Sequence, residues 1–155
     1  MNTEDLIDTT ITNLKIIGST PKNGRLCIRK GQLTLEHDNH FQLIRRWWNR
    51  DSRDITLVHI RNTIGNAIKL SKGIICNQIQ ADLKKWTIDK LLQEMTNCQS
   101  GLLNLKTTYN DDYSFMASLD VLSERLQANC EELLDYMSKH KENAGNQKTR
   151  PPDRT

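Results

Sequence analysis

The sequence predicts a mainly α protein: a compact helical domain with one short β-hairpin and a long C-terminal antiparallel helical hairpin. Three observations carry that expectation. Leu, Ile, Lys, Asn, Gln and Glu are plentiful, while 155 residues contain only three prolines and seven glycines, too few turn formers for a many-stranded sheet. Apolar residues recur at three- and four-residue steps through most of the chain. One stretch, residues 25–36, alternates with period two instead. The length suits a single domain, expected over residues 1–140, with 141–155 as a disordered basic tail because "KENAGNQKTRPPDRT" lacks apolar residues.

The elements follow in order. Thr3 precedes "EDLIDTTITNLKII", whose early acidic residues and apolar Ile7, Ile11 and Leu14 predict an amphipathic first helix. "GSTPKNG", residues 18–24, ends it in a loop. In "RLCIRKGQLTLE", Leu26 and Ile28 are in phase, as are Leu33 and Leu35, with Lys30-Gly31 between them: a short hairpin that must pack on helices to persist. Asp38 or Asn39 can cap a short helix with Phe41, Ile44 and Trp48 on one stripe. Asp51 or Ser52 caps the next, expected near 54–72, with Leu57, Ile60, Ile64 and Ile68 inward and Gly73 as its C-terminal cap. From Ile74 the pattern stays helical to about Asn97, with Ile75, Ile79, Leu83 and Trp86 as a stripe that Leu91, Leu92 and Met95 extend. "CQSGLLNLKTTYNDD" either continues that helix or starts a new one after Ser100. The last helix, about 112–140, has the cleanest spacing: Phe115, Leu119, Leu122, Leu126, Leu133 and Met137, interrupted by Asn129 with Cys130 beside it.

Composition and motif spacing narrow the function classes. The acidic start "MNTEDLIDTT" reads as neither a secretory signal nor a transit peptide, and no apolar run approaches the roughly 20 residues that span a bilayer. Cys27, Cys76, Cys98 and Cys130 form no C-x-x-C motif, which predicts free, mostly buried thiols in a reducing compartment. His37 and His40 are three apart, but nothing in the spacing supplies the two further ligands a metal would need, and His59 and His140 stand apart. G-x-S-x-G is missing, and "KNG" and "RKG" are isolated turns without the P-loop pattern. Asp111-Asp112 reads as a helix start and Glu131-Glu132 as a solvated face. The sequence therefore predicts neither an enzyme nor a cofactor.

Charge is unevenly placed. Residues 22–61 sum to +5 within a chain of net charge +3, and seven of the ten arginines lie between Arg25 and Arg61. Residues 62–138 sum to −3. Such a dipolar layout can bind a polyanion, or let copies of the chain associate end to side. "LIRRWWNRDSRD", residues 43–54, is the densest part. Arg45, Arg46, Trp47, Arg50 and Arg53, widened by Arg25, Arg29 and Lys30, make a candidate surface for a protein partner or for nucleic acid. Guanidinium forks suit phosphates, and tryptophan suits either a base or an interface hot spot. The simpler alternative buries Trp48 with Phe41 and Ile44 and pairs the arginines with Asp51 and Asp54.

"RLCIRKGQLTLE", "IRRWWNRDSRD" and "SGLLNLKTTYNDD" leading into "ASLDVLSERL" resemble a group of small uncharacterised α-helical proteins of nucleocytoplasmic large DNA viruses, of mimivirus-, marseillevirus- and chlorovirus-like genomes. The resemblance covers roughly residues 3–137. Its most specific part is Gly101, Leu102, Asn104, Leu105, Lys106, Thr108, Tyr109 and Asp112. It implies a structural or assembly component of a virion, located there or in host cytoplasm, whose partners are itself or other virion proteins. It carries over no catalytic residue. Read physically, Leu102, Leu105 and Tyr109 form a stripe that meets Phe115 and Leu119 after a turn at "YNDD", with Asn110 or Asp111 capping the next helix. Asn104 and Lys106 are expected off that seam, free for a partner. The alternative to an assembly protein is a nucleic-acid-binding protein using the Arg/Trp surface and the basic tail.

Overall fold

The computed structural model describes residues 3–22, 25–36, 50–76 and 85–147. Its elements are α1 (Thr3–Gly18), β1 (Arg25–Arg29), β2 (Gln32–Glu36), α2 (Arg50–Ile75), α3 (Lys85–Thr108) and α4 (Tyr113–Gln147). The fold is mainly α with a two-stranded antiparallel hairpin.

The hairpin pairs Arg25 with Glu36 through to Arg29 with Gln32, leaving Lys30 and Gly31 as a two-residue loop. Both loop residues have positive φ, 52° and 76°, the backbone of a type I′ turn. Glycine adopts that region freely; Lys30 holds it at a steric cost. Leu26 and Leu33 turn to the core and are buried. The Thr56 hydroxyl of α2 donates to the Leu26 carbonyl of β1 at 3.5 Å.

Each helix buries one stripe into a shared core. The stripes are Ile7, Leu14 and Ile17 in α1; Leu57, Ile60, Ile64, Ile68 and Ile74 in α2; Leu91, Met95, Cys98, Leu102 and Leu105 in α3; Phe115, Leu119, Leu122, Leu126, Cys130 and Leu133 in α4. Helix α4 runs antiparallel to α3. Across that seam Ser123 Oγ donates to Gln99 Oε1 at 2.6 Å, and Thr96 Oγ1 lies 4.0 Å from Cys130 Sγ. Helix α4 runs parallel to α2, because Arg53 meets Asp112 near one end and Ser71 meets Asn129 further along. Asn129 interrupts the apolar stripe without leaving an orphan. Its Nδ2 donates to the Arg125 carbonyl at 3.0 Å, and the Ser71 hydroxyl lies 3.3 Å from its Oδ1.

Helices α1 and α3 meet backbone to backbone at two glycines. A Cβ on Gly101 would stand 1.8 Å from the Ile17 carbonyl oxygen and 2.9 Å from Gly18 Cα. A Cβ on Gly18 would stand 2.8 Å from the Asn97 carbonyl oxygen. Only hydrogen fits at either place.

Several expected boundaries move. Gly73 is no cap: it is buried inside α2, which continues to Ile75 because Ile74 is buried on the core. That burial outweighs glycine's helical cost of about 1 kcal/mol. Asp51 and Ser52 lie within the first turn of α2, which opens at Arg50. The helix expected from Ile74 to Asn97 is divided, with α2 ending at Ile75 and α3 starting at Lys85. The 98–108 stretch continues α3 rather than starting anew. Helix α4 extends to Gln147, so residues 141–147, expected in a disordered tail, are helical. The short helix expected around Phe41, Ile44 and Trp48 lies outside the described residues, as do Ile79 and Leu83.

Candidate interaction surface

The corner between α3 and α4 gathers the residues that the sequence singles out. Tyr109, just after α3, is buried, and its ring meets Phe115 edge-on, centroids 6.0 Å apart at 85°. Asp112 caps α4, because its Oδ1 accepts the Phe115 N–H at 3.0 Å, the N3 donor of the helix. Asn110 and Asp111, expected as caps, precede that position and lack its three-residue spacing to Phe115. The other carboxylate oxygen of Asp112 takes Arg53 at 3.0 Å, and the Arg53 guanidinium lies over the Tyr109 ring, 5.9 Å from its centroid. One side chain thus ends a turn, starts a helix and ties both to α2. A shallow recess beside it is lined by Arg53, Asp54, Leu57, Asp112, Ser114 and Phe115.

Asn104 and Lys106, expected free for a partner, both have contacts within the chain. Asn104 Nδ2 donates to the Thr20 carbonyl at 2.8 Å, and Lys106 pairs with Asp120 of α4. Thr108 adds a second tie, its hydroxyl donating to the Lys22 carbonyl. Asn104 and Thr108, with Gly101, hold the chain that leaves α1 against α3, while Lys106 ties α3 to α4. Spacing within the motif gives no sign of this, since the accepting carbonyls lie 84 and 86 positions away.

The Arg/Trp set is only partly described. Arg45, Arg46 and Trp47 lie outside the described residues. Arg25 and Arg29 occupy the two ends of β1, Lys30 sits exposed in the hairpin turn, and Arg50 opens α2. Arg53 is committed to Asp112, with about a quarter of its side chain exposed at 24%. The described members therefore divide between the hairpin and the start of α2.

The exposed side of the α3–α4 hairpin is expected from sequence as a contact surface, but the apolar residues on the outward helix faces are not singled out there. Ile55 and Val58 of α2 are 52% and 46% exposed, Leu103 of α3 is 58% exposed, and Val121 and Leu134 of α4 are 55% and 58% exposed. Tyr113, at the start of α4, is 82% exposed. Each lies off the core stripe of its own helix, and helical periodicity marks such positions in sequence. Among the described residues, the exposed charges along α2 are Arg61, Lys69 and Lys72, against Asp54; along α4 they are Asp120, Glu124, Glu131, Glu132 and Asp135, against Arg125 and Lys139.

The four cysteines are free. Cys98 and Cys130 are buried, Cys27 is half-buried and Cys76 exposed, so burial is less general than expected. Burial pushes the Cys98 thiol far above the usual range, with the neighbouring Cys130 and Glu94 adding to the shift. Cys130 is raised too, chiefly by burial. Among the described residues no group of three or more His, Cys, Asp or Glu side chains is placed to hold a metal ion. No described helix is long and apolar enough to cross a membrane.

No family model, curated protein or solved structure matches the chain.

Proposed function

We propose that this chain is a non-catalytic helical interaction protein, a structural or assembly component of a virion that associates with itself or with other virion proteins. The observation that carries this reading is the set of exposed large apolar side chains on the outward faces of α2, α3 and α4. Each aliphatic one is about half exposed, so covering the rest is worth about 1 kcal/mol in apolar area, a gain that a partner can supply. The corner motif supports the same reading. Gly101, Asn104, Thr108, Tyr109 and Asp112 are spent on close packing, loop ties, a ring contact and a cap, the work of a scaffold. The dipolar charge layout adds directional attraction between copies.

Sedimentation over a wide concentration range tests it. The expected mass rises with concentration above the 17.9 kDa of one chain. A monomer at every concentration that also captures no virion protein overturns the reading. Salt-sensitive retention of DNA or RNA by such a monomer replaces it with nucleic-acid binding.

A further inference from the structure

We infer that copies of this chain join head to tail, the outward face of α2 on one copy lying parallel to the outward face of α4 on the next. This rests on the self-association reading and gives it a surface and a symmetry. Val58, Arg61, Gly65, Lys69 and Lys72 follow one another at steps of three, four, four and three along α2. Val121, Glu124, Ala128, Glu132 and Asp135 follow at the same steps along α4. Residues at these steps fall on one face of a helix.

Laid side by side in parallel, the two stripes match at every position. Val58 meets Val121, each about half exposed. Arg61 meets Glu124, Lys69 meets Glu132 and Lys72 meets Asp135, all exposed and of opposite sign. Between them Gly65, with open space where a Cβ would stand, meets the small, exposed Ala128. The matched stretch is about 21 Å long on each helix, at 1.5 Å per residue. Asp135 also pairs with Lys139 at 3.1 Å, but both are at least 66% exposed, so that pair is easily exchanged.

The same charges disfavour the alternatives. Packing α2 on a second α2 sets Arg61, Lys69 and Lys72 against one another, with Asp54 as the only acid among the described residues of that stripe. Packing α4 on α4 sets Glu124, Glu132 and Asp135 against one another, with Arg125 and Lys139 offsetting part of that repulsion. A two-fold dimer through either face is therefore repelled, and the heterologous contact is selected. Inside one copy, α2 and α4 already run parallel through their inward faces, joined at Arg53–Asp112 and Ser71–Asn129. Each copy thus presents one basic and one acidic face, and the contact repeats into an open row or a ring.

Charge reversal in the full chain tests this by sedimentation. One variant carries Lys69→Glu and Lys72→Glu; the other carries Glu132→Lys and Asp135→Lys. Each alone should need at least tenfold more protein to associate. Mixed in equal amounts they should associate again, since every α2 then finds an α4 of opposite sign. Recovery on mixing also proves that both variants are folded. If either fails to fold, Gly65→Glu replaces it and should likewise leave monomers. A wild-type chain that associates while both reversed variants match it, or a mixture that stays dissociated, overturns the inference and leaves self-association standing. A discrete wild-type dimer that never grows has the same meaning. A wild-type chain that is monomeric throughout overturns the self-association reading and this inference together.

Discussion

Replacing Gly101 with alanine forces a methyl group to within 1.8 Å of the Ile17 carbonyl oxygen. Ordinary contact begins near 3.4 Å, so the two backbones must part by about 1.6 Å at that point. A radial gap of 0.5–1 Å already forfeits a quarter to a half of the dispersion between facing atoms. Parting α1 from α3 therefore loosens Ile17 and Leu102, both fully buried beside the contact. The loss is comparable to a large-to-small core substitution, about 3–5 kcal/mol. Alanine returns about 1 kcal/mol as the better helix former. The net expectation is a destabilisation of about 2–4 kcal/mol. Urea unfolding of dilute protein, followed by far-ultraviolet circular dichroism, should show the midpoint falling by roughly 1–2 M at an unchanged slope. Gly65→Ala is the matched control. It makes the same chemical change within a helix where nothing lies within 4 Å, and it should stabilise by about 0.5–1 kcal/mol. A Gly101→Ala chain as stable as wild type, or the same sign for both variants, refutes the close-packing argument.

Three further outcomes follow from features described above. Asp112→Ala should cost about 1–2 kcal/mol, mostly the lost cap, while Asp112→Asn, which keeps an acceptor for the Phe115 N–H, should cost about 1 kcal/mol less; equal melting temperatures for the two variants count against the cap. Lys30→Asn should stabilise the chain by about 0.5–1 kcal/mol, because asparagine tolerates a φ of 52° better than lysine, and a lower melting temperature contradicts the turn assignment. Cys98, kept protonated by burial, makes stability fall at alkaline pH. Its thiol ionises near pH 8.5 in the unfolded chain, so above that pH the unfolded state binds fewer protons than the folded one. The stability slope at this site is then negative, up to about 1.4 kcal/mol per pH unit, and it vanishes below the unfolded value. Urea unfolding across that range should give a shallower alkaline fall for Cys98→Ala, and identical slopes exclude the site as its source.

The parts legible in sequence were those that local periodicity determines. Phe115, Leu119, Leu122, Leu126 and Leu133 recur often enough to mark α4, and the pairing of Tyr109 with Phe115 follows once a turn separates their helices. Leu26 and Ile28 in alternation, with Lys30-Gly31 beyond them, mark the hairpin and its turn. What escaped depends on partners remote in the chain. Gly101 looks like a poor helix residue until Ile17 is seen against it. Gly73 carries every local mark of a cap, yet the burial of Ile74 draws the helix past it. Between Ile75 and Lys85 the apolar spacing keeps its phase, so nothing local signals that α2 has ended. In "NDD" three neighbouring residues can each cap a helix, and only the backbone selects Asp112. The roles of Asn104 and Lys106 were hidden for the same reason, their acceptors lying on other elements.

The ties from Asn104 and Thr108 to the chain after α1 have a temporal side, because they span 84 and 86 positions. A ribosome adding roughly 5–20 residues per second completes α1 about 4–17 seconds before it makes these donors. Over that interval Ile7, Leu14 and Ile17 lack the helix that later covers them. Elongation sets the earliest moment at which the first helix can be closed over, and a slower message leaves the nascent chain sticky for longer.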